Sequence, residues 1–224
     1  NEHFNRNLNK IKEIEMNMTR IVSLIRPLPL AMALTVLPTA VLADESTSSD
    51  LSYSYLQVTY GNGEVDDIDS DIWNIGVSLA VVDQIYLTAF YQDTDFDTVD
   101  NYSSFEQKAF GFGVGLRMPI AASADFIAEA TYLDGKTSID HGYGRFHNSE
   151  SDNGYGLTLG MRAMASEKIE IGLGIQYVDI FDGNETVWTM GADYFISKDM
   201  SLGLHYLKGT GDINAVSLNA RYNF

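Results

Sequence analysis

Apolar and polar residues alternate along most of the chain after about residue 50. The alternation is strictest between positions 216 and 224, where every even position is apolar and every odd position is polar. A period of two residues places the two sets on opposite faces of a β-strand. The nine residues of this segment match the roughly 9–11 that a tilted strand needs to cross a bilayer. The pattern therefore predicts a membrane-spanning β-strand.

The same alternation recurs upstream, in segments whose connections are alternately short and long. The predicted short turns are 82–84, 119–123, 165–168 and 197–200, and the predicted longer loops are 61–71, 92–105, 134–152, 178–185 and 208–212. Four turns and five loops join ten strands, an even number that leaves both chain ends on the side of the short turns, as in bacterial barrels. The predicted fold class is all-β: a transmembrane, antiparallel, up-and-down β-barrel of ten strands, or of eight if the first and last loops are miscounted.

The first predicted strand departs from this pattern in one respect. Leu56 and Val58 fit the outward apolar set, whereas Tyr53 and Tyr55 have the opposite parity. A β-bulge or a pair of inward-facing tyrosines would account for the difference, and the sequence leaves both open.

Aromatic residues mark the ends of the predicted strands. With the short turns on the periplasmic side, nine rings lie at the outer strand ends: Tyr60, Trp73, Tyr91, Phe110, Tyr132, Tyr155, Tyr177, Trp188 and Tyr206. Phe126, Tyr194, Tyr222 and Phe224 lie at the inner ends. Rings gather at both membrane interfaces because each ring can be half apolar and half hydrated. A soluble β-sandwich also alternates but has no reason to carry two such girdles, so the pattern favours a membrane barrel.

The first 43 residues differ in character, and we exclude them from the predicted barrel. Residues 1–17 are polar and mixed in charge, which is typical of an extension upstream of the native start. Residues 18–43 combine Arg20 and Arg26, an apolar stretch and a small-residue cleavage site at Ala43, the pattern of a secretory signal peptide. The apolar stretch is too short for a membrane anchor helix. We expect one barrel domain over residues 44–224, exported to the bacterial outer membrane.

Composition narrows the classes of function. The chain carries 14 Lys and Arg against 31 Asp and Glu, a net charge of −17, and it has no cysteine. A nucleic-acid partner needs a basic face, so none is expected. The lack of cysteine excludes disulfides, thiolate metal sites and Cys nucleophiles.

Acidic residues stand at every second position in the first two predicted loops: Asp67, Asp69 and Asp71, then Asp93, Asp95 and Asp97. The first set begins like a calcium-binding loop, but Ile72 and Ser78 stand where that loop needs Gly and Glu. We interpret both sets as solvated loop surface, with weak binding of divalent cations at the outer loops as the alternative.

The predicted barrel contains no recognisable set of catalytic residues. The histidines of the predicted barrel are His141, His147 and His205, and the sequence places no Ser and Asp around them at a spacing usable for a catalytic triad. We therefore expect that the protein is not an enzyme and holds no cofactor.

Charged residues of inward parity form the most specific candidate site, a lumen charge network of Arg117, Asp125, Glu129, Arg162, Glu170, Asp193 and Arg221, with His205 nearby. Arg117 and Asp125 flank one short turn, eight residues apart, and so do Arg162 and Glu170 at another turn. The two members of each pair are predicted to be cross-strand neighbours. Because a selective pore more often shows a ring of one sign, the balanced charges predict a hydrogen-bonded plug.

The terminal run Arg221-Tyr222-Asn223-Phe224, the opening Leu51-Ser52-Tyr53-Ser54-Tyr55 and the segment Asp152-Asn153-Gly154-Tyr155-Gly156 carry a family resemblance. Together with the signal peptide and the alternating strands, they resemble the small, porin-like outer-membrane β-barrel proteins of proteobacteria. The resemblance implies that Tyr222 and Phe224 form the assembly signal read by the barrel-assembly machinery. It also implies periplasmic chaperones during biogenesis, and outer-membrane lipid and lipopolysaccharide, as partners.

The function expected from these features is a structural or surface-interaction role in the outer membrane, with a mostly plugged lumen. Two alternatives stay open. One is a narrow, passive, porin-like channel for small solutes or cations. The other is an adhesin or ligand-binding barrel that acts through its acidic outer loops.

Overall fold

The computed structural model describes residues 51–65, 68–96, 103–141, 146–181, 183–210 and 213–224. The predicted upstream extension, the predicted signal peptide, Asp67 and Asp97 lie outside the described residues.

Ten antiparallel strands make up the described chain. They are β1 Tyr55–Val65, β2 Ile68–Val82, β3 Ile85–Phe96, β4 Ser103–Ala121, β5 Ala124–His141, β6 Phe146–Ser166, β7 Ile169–Ile180, β8 Gly183–Phe195, β9 Met200–Gly209 and β10 Ile213–Asn223. Each strand pairs with its neighbours in sequence, and β1 pairs with β10, which closes the barrel. The predicted fold class is confirmed, with ten strands rather than eight. No helix in the described part of the chain is long and apolar enough to cross a membrane.

The apolar parity of every strand faces outward. Leu218 is 64% exposed and Trp73 is 54% exposed, and similar side chains surround the barrel. An apolar surface of this extent would be a severe liability in water, whereas in a bilayer it is the surface that contacts lipid. The alternation read from the sequence thus corresponds to lipid-facing and lumen-facing sides.

The predicted bounds of the longer loops are wrong, because the strands continue into them. β1 runs to Val65 and β2 begins at Ile68, while β5 runs to His141 and β6 begins at Phe146. Above the membrane both faces of a hairpin meet water, so the apolar alternation ends although backbone pairing continues. Hydrophobic pattern therefore reports the membrane-embedded part of a strand and not its hydrogen-bonded length.

Residues 51–54 enter the lumen at its periplasmic end. Leu51 is 4% exposed and Tyr53 is 3% exposed, and both pack with Tyr86 of β3. Ser78 of β2 donates a hydrogen bond to the carbonyl of Tyr53 at 2.8 Å. The parity of Tyr53 and Tyr55 therefore reflects inward-facing tyrosines, and no register shift interrupts β1.

Candidate functional site

The charged side chains of the lumen gather at its periplasmic end. Each stands within a few residues of a short turn or of the C-terminus, on the parity opposite to the lipid-facing set. Asp125, Glu170, Asp193 and Arg221 are all buried. A buried charge is tolerated only when it is paired and hydrogen-bonded, so the contacts of each one matter.

Glu170 of β7 is the centre of the network. Its Oε1 accepts a hydrogen bond from Arg162 Nε of β6 at 2.8 Å. Arg221 of β10 donates from Nη2 to Oε2 at 2.6 Å and from Nη1 to Oε1 at 3.2 Å. One carboxylate therefore binds two guanidinium groups, and one of these is held in the bidentate geometry typical of strong Arg–carboxylate pairs.

Arg162 lies beside Glu170 as a diagonal cross-strand neighbour: Met164 stands opposite Glu170 and Arg162 stands opposite Gly172. The contact from Arg221 joins residues 51 apart in the sequence, and sequence reasoning did not pair them. Inward parity was the only signal that could have brought Arg221 into this set, because the barrel must close before β7 and β10 face each other.

Tyrosine rings cover the guanidinium groups. Arg162 Cζ lies 4.5 Å from the centroid of the Tyr53 ring, and Arg117 Cζ lies 5.0 Å from the same ring. Arg221 Cζ lies 5.4 Å from the Tyr55 ring. A cation placed over an aromatic face in a desolvated site gains on the order of 2 kcal/mol. We call Tyr53, Arg162, Glu170 and Arg221 the lumen stack.

Arg117 and Asp125 are neighbours, but not as a direct cross-strand pair. A register irregularity between Pro119 and Ala121 places Pro119 opposite Asp125, so the Arg117 Nη1 to Asp125 Oδ2 distance is 3.9 Å. Arg117 also donates to the carbonyl of Asp83, in the β2–β3 turn, and to that of Leu51 at 3.3 Å. It thereby ties the N-terminal segment to a periplasmic turn.

A second polar cluster surrounds Asp193 of β8. His205 Nε2 of β9 lies 3.2 Å from Asp193 Oδ2, and Asn219 of β10 donates to Asp193 Oδ1 at 2.9 Å. Gly203 stands opposite Asp193, and a Cβ there would overlap the carboxylate. This glycine makes room for the cluster, and the imidazole is held against the barrel wall by a carboxylate.

Glu129 of β5 lies apart from the stack. It accepts a hydrogen bond from Thr131 Oγ1 at 3.1 Å. Among the described residues no ion pair within 4.0 Å includes Glu129. The residues of the predicted lumen charge network therefore form two clusters, one around Glu170 and one around Asp193. Glu129 is a separate carboxylate.

The candidate cation ligands that the structure describes, Asp69, Asp71, Asp93 and Asp95, have the outward parity and lie beyond the girdle rings. Asp69 is exposed, and Asp71 accepts a hydrogen bond from Tyr60 Oη at 3.0 Å. Carboxylate oxygens of Asp93, Asp95 and Glu106 lie within 4.8 Å of one another. Sequence reasoning missed Glu106 because it comes from β4, which pairs with β3 beside the two aspartates.

A lysine already partly neutralises this acidic group. Lys108 Nζ lies 2.5 Å from Glu106 Oε1 and 3.8 Å from Asp93 Oδ2. These residues lie beyond the membrane-spanning part of β3 and β4. Partial burial raises the pKa of the Asp93 carboxyl, and the hydrogen bond that the Lys108 ammonium donates to Glu106 raises the pKa of that ammonium. The shift of Lys108 reflects its ion pair with Glu106, whereas the shift of Asp93 reflects the partial loss of water around its carboxylate.

The nine predicted girdle rings all lie on the lipid-facing parity at the outer strand ends. Neighbouring rings contact across strands: the Tyr60 and Trp73 centroids are 4.8 Å apart, and those of Tyr155 and Tyr177 are 6.0 Å apart. At the opposite end the Tyr222 and Phe224 rings face outward with centroids 6.4 Å apart. This places the residues of the predicted assembly signal on the outer wall at the periplasmic end.

Comparison with known proteins identifies a family. A family model described as Gram-negative porin matches residues 46–214. The KdgM porin structure is 12% identical, with 75% of this chain and 99% of that chain covered and a TM-score of 0.45. Ail, the attachment invasion locus protein of Yersinia pestis, is 12% identical, with 76% and 97% covered and a TM-score of 0.44. The translocator domain of the autotransporter NalP from Neisseria meningitidis is 13% identical, with 76% and 87% covered and a TM-score of 0.43. No curated protein sequence matches the chain.

Proposed function

Because the chain belongs to the Gram-negative porin family, we propose a function for it as an outer-membrane barrel whose lumen is closed at the periplasmic end. The protein lies in the bacterial outer membrane. Its role in this proposal is structural or surface-interacting, exerted through its outer hairpins and its lipid-facing wall. The proposal assigns it no catalytic role and no cofactor.

The lumen stack is the observation that supports closure. Tyr53 comes from the N-terminal segment, Arg162 from β6, Glu170 from β7 and Arg221 from β10, so the stack reaches across the lumen. Opening a water path through the stack would require separating a buried carboxylate from its two guanidinium partners. Leaving one such buried charge without its partner costs about 3–5 kcal/mol.

The balance of charge also supports closure over selective conduction. Selective pores line their narrowest part with one sign of charge or with backbone carbonyls. Here the periplasmic end combines three arginines with buried carboxylates in direct contact. Because these charges neutralise one another, the net electrostatic field that acts on a passing ion is small.

Single-channel recording in planar bilayers tests the proposal. The wild-type protein is expected to insert without steady openings. The variant L51A/Y53A removes two buried side chains from the periplasmic mouth without changing charge, so it is expected to conduct. The matched control L56A/Y60A makes the same chemical changes on the lipid-facing side of β1, and it is expected to stay closed.

Heat-modifiable gel mobility shows for each variant that the barrel has folded. Steady openings of the wild type would overturn the closed lumen. If folded L51A/Y53A is as silent as the wild type, then these two side chains are not what closes the mouth, and the proposed plug is refuted.

A second candidate function is a narrow passive channel for small solutes or cations. Membership in the Gram-negative porin family favours it. Steady openings of the wild type in the same recordings would select it.

A further inference from the structure

The outer turn between β7 and β8 contains a strained residue. Phe181 has a φ angle of 56°, and it is the one non-glycine residue of the described chain with a positive φ. A bulky side chain in the left-handed region is strained, and the conformation persists only where surrounding contacts hold it. The contacts that hold Phe181 come from the inner face of the barrel wall.

Strand pairing shows where this turn leaves the wall. β7 pairs with β6 as far as Asp179, which stands opposite Tyr155, whereas β6 continues to pair with β5 for nine further residues. Within the described residues, no register pair joins Ile180 or Phe181 to β6. We call Ile180 and Phe181 the β7–β8 tip. The tip can change position without breaking the β6–β7 ladder.

Three residues of lumen-facing parity on β5 and β6 receive the tip, and we call them the seat. A Cβ at Gly154 would overlap the β7 backbone and stand 2.8 Å from Ile180 Cβ. A Cβ at Gly135 would stand 2.8 Å from Cζ of the Phe181 ring. Asp152 is the register partner of Gly135, and its Oδ2 accepts a hydrogen bond from the backbone N–H of Phe181 at 2.7 Å. The tip therefore lies across the inner face of β6 and reaches β5.

The seat also explains part of a sequence motif that closure of the periplasmic end does not use. Asp152 and Gly154 are the first two inward residues of the run from Asp152 to Gly156. The residues between them face outward, where Asn153 accepts a hydrogen bond from Tyr132 Oη at 3.0 Å and Tyr155 joins the girdle. The inward half of the motif thus receives the tip, and the outward half belongs to the membrane interface.

We propose that the β7–β8 tip is a releasable lid on the outer mouth of the lumen. When seated, it extends over two strand spacings, about 10 Å, and narrows the mouth from one side. The hydrogen bond to Asp152 and the contact of the Phe181 ring with Gly135 favour the seated state. The strained backbone of Phe181 favours release, which widens the mouth. The lid does not rest on closure of the periplasmic end.

The two contacts of the seat are expected to be coupled, because each forms only when the tip is seated. Losing a hydrogen bond to a charged group shifts an equilibrium by about tenfold or more. D152A should therefore raise the ratio of released to seated protein at least about tenfold. G135A, whose Cβ displaces the Phe181 ring, should also favour release although it leaves Asp152 in place.

Amide hydrogen exchange of Phe181 tests the coupling from the side of the ring. The protein is labelled with ¹⁵N-phenylalanine, extracted from outer membranes into micelles and followed by NMR. G135A should speed exchange of the Phe181 amide severalfold. The matched control is G156A, because a Cβ at Gly156 meets nothing nearer than 3.6 Å, and it should exchange like the wild type. Equal exchange in G135A and G156A would overturn the lid.

Electron–electron distances between two spin labels test the coupling from the side of Asp152. The chain has no cysteine, so D69C/N184C carries one label on β2 and one on β8 beside the tip. D152A in this background should move most of the distance distribution to a second peak. D134A removes an exposed carboxylate of outward parity from β5 and should match the unmodified background.

Identical distributions for D152A and D134A would overturn the lid even if G135A changes amide exchange. Heat-modifiable gel mobility shows that each variant has folded, so that neither result can come from a misfolded barrel.

Discussion

Replacing Glu170 by glutamine keeps the size of the side chain and removes the charge at the centre of the lumen stack. Arg162 and Arg221 then remain buried with a neutral amide where each had a carboxylate partner at 2.8 Å or less. Each hydrogen bond to a charged group is worth about 1.5–3 kcal/mol, but bonds that share one carboxylate are not additive. Breaking a buried ion pair on one side costs about 3–5 kcal/mol, and we expect E170Q to lose that much free energy of unfolding.

Guanidinium unfolding of the refolded barrel in lipid vesicles, followed by tryptophan fluorescence, measures the loss. Glu167 provides the matched control, because it is exposed in the β6–β7 turn only three residues away. E167Q should change the free energy of unfolding by no more than about 0.5 kcal/mol. If E170Q costs less than about 1 kcal/mol, or no more than E167Q, the stack does not stabilise the barrel and the reasoning is refuted.

The double variant E170Q/R221Q measures the interaction between Glu170 and Arg221 apart from the contribution that each residue makes to stability on its own. It removes the carboxylate and one of the two guanidinium groups that E170Q leaves unpaired. Its loss should therefore be smaller than the sum of the single losses, with an interaction energy of about 0.5–3 kcal/mol, as for residues in direct contact. Simple additivity would mean that Arg221 and Glu170 do not interact in the membrane.

Gly115 faces the Tyr86 ring so closely that a Cβ at this position would overlap the ring, whereas a Cβ at Gly172 meets nothing nearer than 3.9 Å. G115A should therefore lower the denaturation midpoint clearly more than G172A. Equal midpoints for the two variants would contradict the packing of Gly115 against Tyr86. Deleting Phe224 should reduce the amount of protein in the outer membrane of cells while leaving refolding in detergent intact, and unchanged membrane levels would contradict its role as an assembly signal.

The number and facing of the strands could be predicted because a bilayer imposes a strict requirement on every second residue. Leu218 must contact lipid and Arg221 must not. The alternation of lipid-facing and lumen-facing residues is therefore readable even where individual motifs are weak. The limits of β5 and β6 could not be predicted in the same way. Beyond the girdle both faces meet water, and nothing in the residue types records that the hydrogen bonds continue.

Pair contacts inside the lumen were predictable only across a single turn. Arg162 and Glu170 flank a turn, and their spacing indicates the contact. Arg221 reaches Glu170 across the barrel, and Glu106 reaches Asp93 and Asp95 from the facing strand. Such contacts depend on strand register, and an irregularity such as that at Pro119 shifts register by one residue without a distinctive sequence signal.

The seam of the barrel, where β1 pairs with β10, is linked to the lumen stack. Arg221 and Tyr55 stand on the two strands of the seam, and Glu170 stands on neither. A seam that slipped by one residue would turn Tyr55 away from the lumen, and a slip of two would carry its ring about 7 Å along the barrel from the Arg221 guanidinium. The Tyr55 ring therefore marks the alignment of the seam: only the correct register places it over the Arg221 guanidinium, which the pairing of strands β7 to β10 already holds at Glu170.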